Sequence, residues 1–154
     1  MDEPRWLDEA EARAWLGYRR MRALLDLNIT HDLGADTALS DADYDVLSTL
    51  SETPDHQLRL TSLAEHMHWS KSRLSHHIAR MQQRGLLTRG GCPSDARASV
   101  VSLTEDGWRA IRAAAPHHVA SVRRHFVDLL SREQIDVFGE IADTVVRALR
   151  ERST

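Results

Sequence analysis

The densest chemistry in the chain lies in Trp69-Ser-Lys-Ser-Arg-Leu-Ser-His-His-Ile-Ala-Arg-Met81, which combines hydroxyl, ammonium, imidazole and guanidinium groups. Leu74, Ile78 and Met81 recur at i, i+4 and i+7, a narrow apolar stripe on a helix. Ser72, His76, Ala79 and Gln83 then point the opposite way, flanked by Arg73 and Arg80. Ser70 suits the N-cap, and Trp69 with Leu74 occupies the two positions of a hydrophobic staple. A helix held on its apolar side and polar on the other can enter a DNA groove. Ser70, Ser72 and the unpaired amides of the helix start suit a phosphate. Lys71 adds a phosphate contact that positions without reading sequence. Arg73 is the first choice for a bidentate contact to a guanine edge, with Ser75 and His76 as secondary base readers. Arg80 and Arg89 are assigned to the DNA backbone, and His77, at the edge of the inward face, to structure.

The elements on either side support that assignment. Thr61 is expected to cap a brief helix carrying Leu63, Ala64 and Met67, and His68-Trp69 makes a turn, the spacing of a helix-turn-helix. That turn lacks the usual Gly, but His enters the left-handed region more readily than most residues. Gly85 closes the central helix. Leu86–Arg89 and Ser99–Leu103 read as two strands of a hairpin with a long tip, Gly90-Gly-Cys-Pro-Ser-Asp95, and Arg97 near it. A hairpin beside a helix-turn-helix can place an arginine in the minor groove. Leu58-Arg-Leu60 reads as a short extended segment.

Around this unit lie longer helical patterns. A first helix runs from about Leu7 to Leu33, ended by Gly34; Trp6, Trp15 and Tyr18 are large to bury and suit a partner surface such as a second copy of the chain. Ser40 caps a second helix, whose Tyr44, Leu47 and Leu50 form one stripe and which Thr53-Pro-Asp55 stops. Thr104-Glu-Asp-Gly caps a helix to about Leu130 that Pro116 should bend, and Ser131-Arg-Glu-Gln134 is a capping box for the last helix. The expected fold is mainly α with a small β-hairpin wing, a winged helix-turn-helix inserted between N- and C-terminal dimerisation helices. Its parts are an N-terminal dimerisation helix (1–34), a DNA-binding domain (35–103) and C-terminal dimerisation helices (104–154).

Composition bounds the function. Of 154 residues, 42% are hydrophobic and 28% charged, as in a soluble globular protein. No apolar run approaches the ~18–20 residues of a membrane span. The opening Met-Asp-Glu-Pro reads as a short acidic tail without a signal-peptide pattern, and the single Cys92 suits a reducing cytoplasm. Net charge is −3, yet residues 57–103 hold seven basic side chains against Glu65 and Asp95, a local +5 within a chain otherwise at −8. Such asymmetry suggests a basic face on an acidic scaffold. No Gly-rich phosphate loop, paired carboxylates or Ser–His or Cys–His constellation points to an enzyme. No cofactor site is expected. His117, His118 and His125 could share part of a helix face, but no Cys or compact carboxylate–His cluster completes a zinc set. Cys92 beside Arg89 is a candidate oxidant-sensitive thiol.

The chain resembles the multiple-antibiotic-resistance regulator (MarR) family across nearly its whole length. The most specific matches are Asp95-Ala-Arg97, like the family's Asp-x-Arg wing signature, and Leu103-Thr-Glu-Asp-Gly107, like its Leu-Thr-x-x-Gly opening of the fifth helix. Ser70-Lys-Ser-Arg-Leu-Ser and Arg84-Gly-Leu-Leu fit the recognition helix and its exit. The resemblance implies a homodimeric repressor in the cytoplasm that binds a pseudo-palindrome in double-stranded DNA. Arg97 would lie in the minor groove with Asp95 holding it. It further implies release by a small aromatic or phenolic effector in a crevice between the helical base and the winged unit, with Trp15, Tyr18, His31 and Trp108 as candidate lining. Where many relatives carry Gly beside the wing arginine this chain has Ala96 and Ala98, a stiffer loop, and its lone Cys is not near the first helix as in the peroxide-sensing branch. The alternatives are a winged-helix module for protein–protein contact, or a metal- or redox-responsive variant of the regulator.

Overall fold

The computed structural model describes residues 4–92 and 94–152, the side chains of Cys92, Ala96 and Arg97 excepted. Its elements run α1 (Glu9–Asp36), α2 (Asp41–Ser51), β1 (Gln57–Arg59), α3 (Leu60–Met67), α4 (Lys71–Gln83), β2 (Leu87–Cys92), β3 (Asp95–Leu103), α5 (Glu105–His125), a 3-10 turn (Val127–Leu129) and α6 (Arg132–Glu151). The chain divides into two compact units, one from residues 1–29 with 120–154, the other from residues 30–119.

The unit of residues 30–119 holds the apolar core. Val46, Leu47 and Leu50 from α2, Leu63 from α3, and Leu74 and Ile78 from α4 are fully buried in one cluster. Three helices each give one stripe to it, and their polar faces remain outside. Ser40 caps α2 in a full capping box: its hydroxyl accepts from the Asp43 amide, and the Asp43 carboxylate accepts from the Ser40 amide. His68 ends α3 in the left-handed region at φ 53°, ψ 36°. The amides of His68 and Trp69 turn back to the carbonyls of Glu65 and Ala64, so the expected left-handed histidine does the work of a glycine. Gly85, at φ 74°, ends α4 the same way, with its own amide on Gln82 and that of Leu86 on Met81.

Several boundaries differ from expectation. Gly34 lies inside α1, which runs on to Asp36; a glycine is tolerated in a helix interior at modest cost. Thr61 is within α3, whose N-cap is Arg59 without a side-chain bond, and Leu60 belongs to that helix rather than to the extended segment. β1 pairs antiparallel with β3, Leu58 opposite Val101, so the hairpin is part of a three-stranded sheet of order β1-β3-β2. The hairpin tip is shorter than its Gly, Pro and Ser content suggested. β2 continues through Gly90 and Gly91 to Cys92, which faces Asp95 across a register shift. Glycines do not break a strand whose partner supplies the whole ladder. α5 stays helical through Pro116 and ends at His125, before the expected Leu130.

The Leu103-Thr-Glu-Asp-Gly107 motif has a physical explanation here. The Thr104 hydroxyl donates to the Gly85 carbonyl (2.6 Å) and accepts from the Gly107 amide (3.0 Å), and the Thr104 amide donates to Leu86 (3.2 Å). These bonds press the first turn of α5 onto the segment between α4 and β2. A Cβ on Gly107 would lie 2.1 Å from the Leu86 carbonyl oxygen, a backbone atom that cannot swing aside. Gly107→Ala is therefore expected to destabilise the fold by about 2–3 kcal/mol, seen as a lower urea midpoint at unchanged slope.

The unit of residues 1–29 and 120–154 is differently built. α6 carries its own capping box, Ser131 with Gln134, yet none of its described residues is buried. Phe126 and Phe138 meet edge to face at 5.2 Å. Val137, Ile141, Val145 and Leu149, one turn apart along α6, are each more than half exposed.

Candidate nucleic-acid interface

α4 presents what its spacing predicts. Leu74, Ile78 and Met81 are fully buried beneath it. Lys71, Ser72, Arg73, His76, Ala79, Arg80 and Gln83 are exposed. Ser70 is the N-cap, its hydroxyl accepting from the Arg73 amide at 3.2 Å. The helix start thus keeps outward amides beside Lys71 and Ser72, an arrangement that favours an anion.

The arginines are held in place. The Arg73 guanidinium lies over the Trp69 indole, 3.9 Å from the ring centroid, a stacking that suits its planar fork and limits its rotamers. Trp69 itself is half-buried against the core and meets His77 edge to face at 5.6 Å. Arg80 donates through Nη2 to His77 Nδ1 (3.0 Å). From β2, Arg89 reaches across to α4, donating through Nη1 to Ser75 Oγ (2.8 Å) and through Nε to Ser99 Oγ on β3 (2.5 Å). Ser75, expected as a base reader, is half-buried, and its hydroxyl accepts from Arg89 of the wing. Asp95 opens β3 at the wing tip; the side chain of Arg97 lies outside the described residues, as does that of Cys92.

A buried network that spacing did not reveal underlies this face. Asp43 is 3% exposed. One of its oxygens accepts from Arg84 Nη1 (2.6 Å), whose Nη2 also donates to the Ala38 carbonyl (2.8 Å). Its other oxygen lies 3.0 Å from His77 Nε2, a close electrostatic contact. Burial pushes the Asp43 carboxyl up, but Arg84 and the Ser40 amide and hydroxyl outweigh it and hold it below the usual carboxylate range. Burial is the largest influence on His77 and, with Arg80 and Arg84, lowers its pKa despite Asp43. Arg84, counted among the local positive charges, is thus largely neutralised by α2. The signals available were His77-x-x-Arg80 and Trp69-x-x-x-Arg73, both at helical neighbour spacing. Asp43 stands too far off in sequence to be read.

The other expected sites fall as follows. Trp15 and Tyr18 stack on each other on α1 at 5.7 Å and are about half-exposed. His31 is exposed, and Trp108 stacks on His56 at 4.6 Å. His117 faces Asp36 (3.5 Å) and His118 stacks on Tyr44 (4.1 Å). Among the described residues, no three His, Cys, Asp or Glu side chains gather as a metal site, and no helix is long and apolar enough to cross a membrane.

The fold and this face define a winged helix-turn-helix regulator. Residues 39–99 match the model of the MarR family. Transcriptional regulator HosA of Escherichia coli O111:H- is 30% identical over 110 residues, 71% of this chain and 79% of that protein. The crystal structure of AbsC, a MarR family transcriptional regulator from Streptomyces coelicolor, superposes with a TM-score of 0.92 at 40% identity, over 96% of this chain and 99% of that one. Sco3205 from the same organism, a MarR family regulator crystallised in complex with DNA, superposes at 0.91 with 38% identity, over 97% and 93%. The chain belongs to the MarR family and is a transcriptional regulator, not an enzyme.

The network sets the direction of pH dependence. His77 is lowered from its ordinary value near 6.5, so the unfolded chain binds more protons below that pH, and stability falls as pH drops through 6.5 toward the folded pKa. His118, also lowered chiefly by burial, adds to the same window. Asp43 adds a second loss below 3.8. Urea melts between pH 7.5 and 5 are expected to show declining stability, with a shallower decline in His77→Phe. A flat profile in wild type contradicts the burial of a neutral His77.

Proposed function

We propose that the protein is a homodimeric repressor that binds a pseudo-palindromic operator in duplex DNA, with α4 in the major groove and the β2–β3 wing in the adjacent minor groove. The observation that carries this reading is the exposed row Lys71, Ser72, Arg73, His76 and Arg80 on a helix anchored by three fully buried residues. The relative crystallised with DNA supports it. Within this reading Ser70, Ser72 and Lys71 hold phosphate, Arg73 reads a guanine edge beside His76, and Arg80 touches the backbone. Arg89 and Ser75 brace the wing against the helix, and Asp95 and Arg97 take the minor-groove roles that the family signature implies.

A second copy of the chain is the proposed cover for the helical unit. Trp6 is 83% exposed, and Leu27, Ile141 and Leu149 are each more than half exposed, more apolar surface than a soluble monomer normally leaves in contact with water. Twofold symmetry then sets the two α4 helices about one DNA turn apart, ~34–36 Å. A small aromatic or phenolic effector, with Trp15, Tyr18, His31 and Trp108 as candidate contacts, releases DNA by favouring a different separation. Cytoplasmic location follows from a DNA target.

Two measurements test the reading. Light scattering should give twice the chain mass, and affinity for duplex DNA should fall steeply with added salt; a salt-insensitive interaction or a stable monomer overturns it. On a duplex selected from a random library, Arg73→Ala is expected to cost roughly 1–3 kcal/mol and relax preference at one position per half-site. Lys71→Ala should weaken all sequences alike and reduce the salt slope by about one.

A further inference from the structure

The His77 ring touches three groups beneath or beside the outer face of α4. Its Nδ1 faces Arg80 Nη2 at 3.0 Å, its Nε2 faces the Asp43 carboxylate at 3.0 Å, and its edge meets Trp69, the platform under Arg73. A guanidinium offers only donors, so Nδ1 must be the acceptor. The proton of the neutral ring is then on Nε2, toward the buried carboxylate. Asp43 is itself immobile, fixed by Arg84 and by the capping box of α2. The ring is 7% exposed, whereas Arg80 is exposed. One nitrogen of Arg80 is engaged by His77, and the remaining donors of the fork are available for a phosphate.

From this geometry we infer that His77 is a positioning residue for DNA binding: oriented by Asp43 from α2, it accepts from Arg80 and fixes that guanidinium for its backbone contact. The inference rests on the reading of α4 as the groove-facing helix. It gives the second residue of the His76-His77 pair a role separate from base reading and from plain packing. The mechanism is an entropy saving. An unheld arginine samples many rotamers, and each must be frozen on binding, whereas a guanidinium already docked on an imidazole loses less. The lowered pKa of His77 supports the neutral, accepting tautomer at pH 7. A protonated ring would place an N–H against the Arg80 cation.

The test compares His77→Phe, His77→Asn, Arg80→Ala and the double variant His77→Phe/Arg80→Ala in the full chain. The probe is a fluorescein-labelled duplex selected from a random library with the wild-type protein, and affinity is measured by anisotropy across a salt series at pH 7.5. His77→Phe keeps the ring volume but removes the acceptor, and is expected to weaken binding about five- to tenfold and to lower the salt slope by about one. Arg80→Ala should do the same, and the double variant should be no weaker than Arg80→Ala alone, since one contact is lost only once. The Asn carbonyl can stand near the place of Nδ1, so His77→Asn should stay within about twofold of wild type, although it fills the site less well than Phe. A merely structural histidine predicts the reverse order. Additive losses for Phe and Ala, or Asn binding no better than Phe, overturn the proposal. If His77→Phe does not fold, His77→Asn decides alone: a loss as large as that of Arg80→Ala overturns it, and near-wild-type affinity and salt slope support it. If Arg80→Ala binds like wild type the relay is overturned, while the separate Arg73→Ala measurement shows whether the DNA reading survives.

Discussion

A carboxylate buried without a partner is among the costliest features a small domain can contain, and the second unit of this protein is arranged around one that is fully matched. Asp43 accepts from the amide at the start of its own helix, from Arg84 at the end of α4, and faces His77 in the middle of α4. Those three partners come from two helices. Their common focus allows only one rotation and one height for α4 against α2, because any slip would leave a charge in the interior unpaired. The apolar stripe of Leu74, Ile78 and Met81 provides most of the burial, but apolar contact is non-directional and tolerates small shifts. The polar focus supplies the specificity that the stripe lacks.

The same constraint reaches the outer surface. Trp69 and His77 form the layer between the core and the exposed guanidiniums. Arg89 and Ser75 add a link from the wing, so α4 and the β2–β3 hairpin are joined by a side-chain bridge as well as by the core. A groove-binding surface made of long, flexible side chains would lose much of its binding free energy to ordering them. Here Arg73, Arg80 and Arg89 rest on aromatic or hydrogen-bonding supports. The close approach at Gly107 belongs to the same design, since it locks the first turn of α5 to the exit of α4.

The helical unit is organised by a different rule. Its capping box and aromatic pair give it local order, but its apolar side chains remain largely in contact with water. α1 carries large apolar groups on several sides, among them Trp15, Leu16, Leu24 and Leu27. Burial within one chain satisfies the winged unit and leaves the helical unit with exposed apolar side chains.

Local chemistry was legible from the residues alone. The Ser40 and Ser131 caps, the left-handed His68, the closure at Gly85, the inward stripe of α4 and its polar outer face all follow from interactions within a few positions, where helical geometry fixes who meets whom. The wing motif and the Leu-Thr-x-x-Gly sequence pointed to the family by resemblance alone. Strand limits were harder: Gly90 and Gly91 look like a loop until β3 supplies their ladder, and β1 has no signal of its own until it pairs with that strand. Beyond reach were the contacts that join distant residues, Asp43 with His77 and Arg84, Arg89 with Ser75, Gly107 under Leu86. Sequence periodicity states which side of a helix turns inward. Which buried charge waits there is decided only when two helices pack, because packing brings together residues that, in the unfolded chain, are separated by water and independent of one another, and burial then makes their pairing necessary.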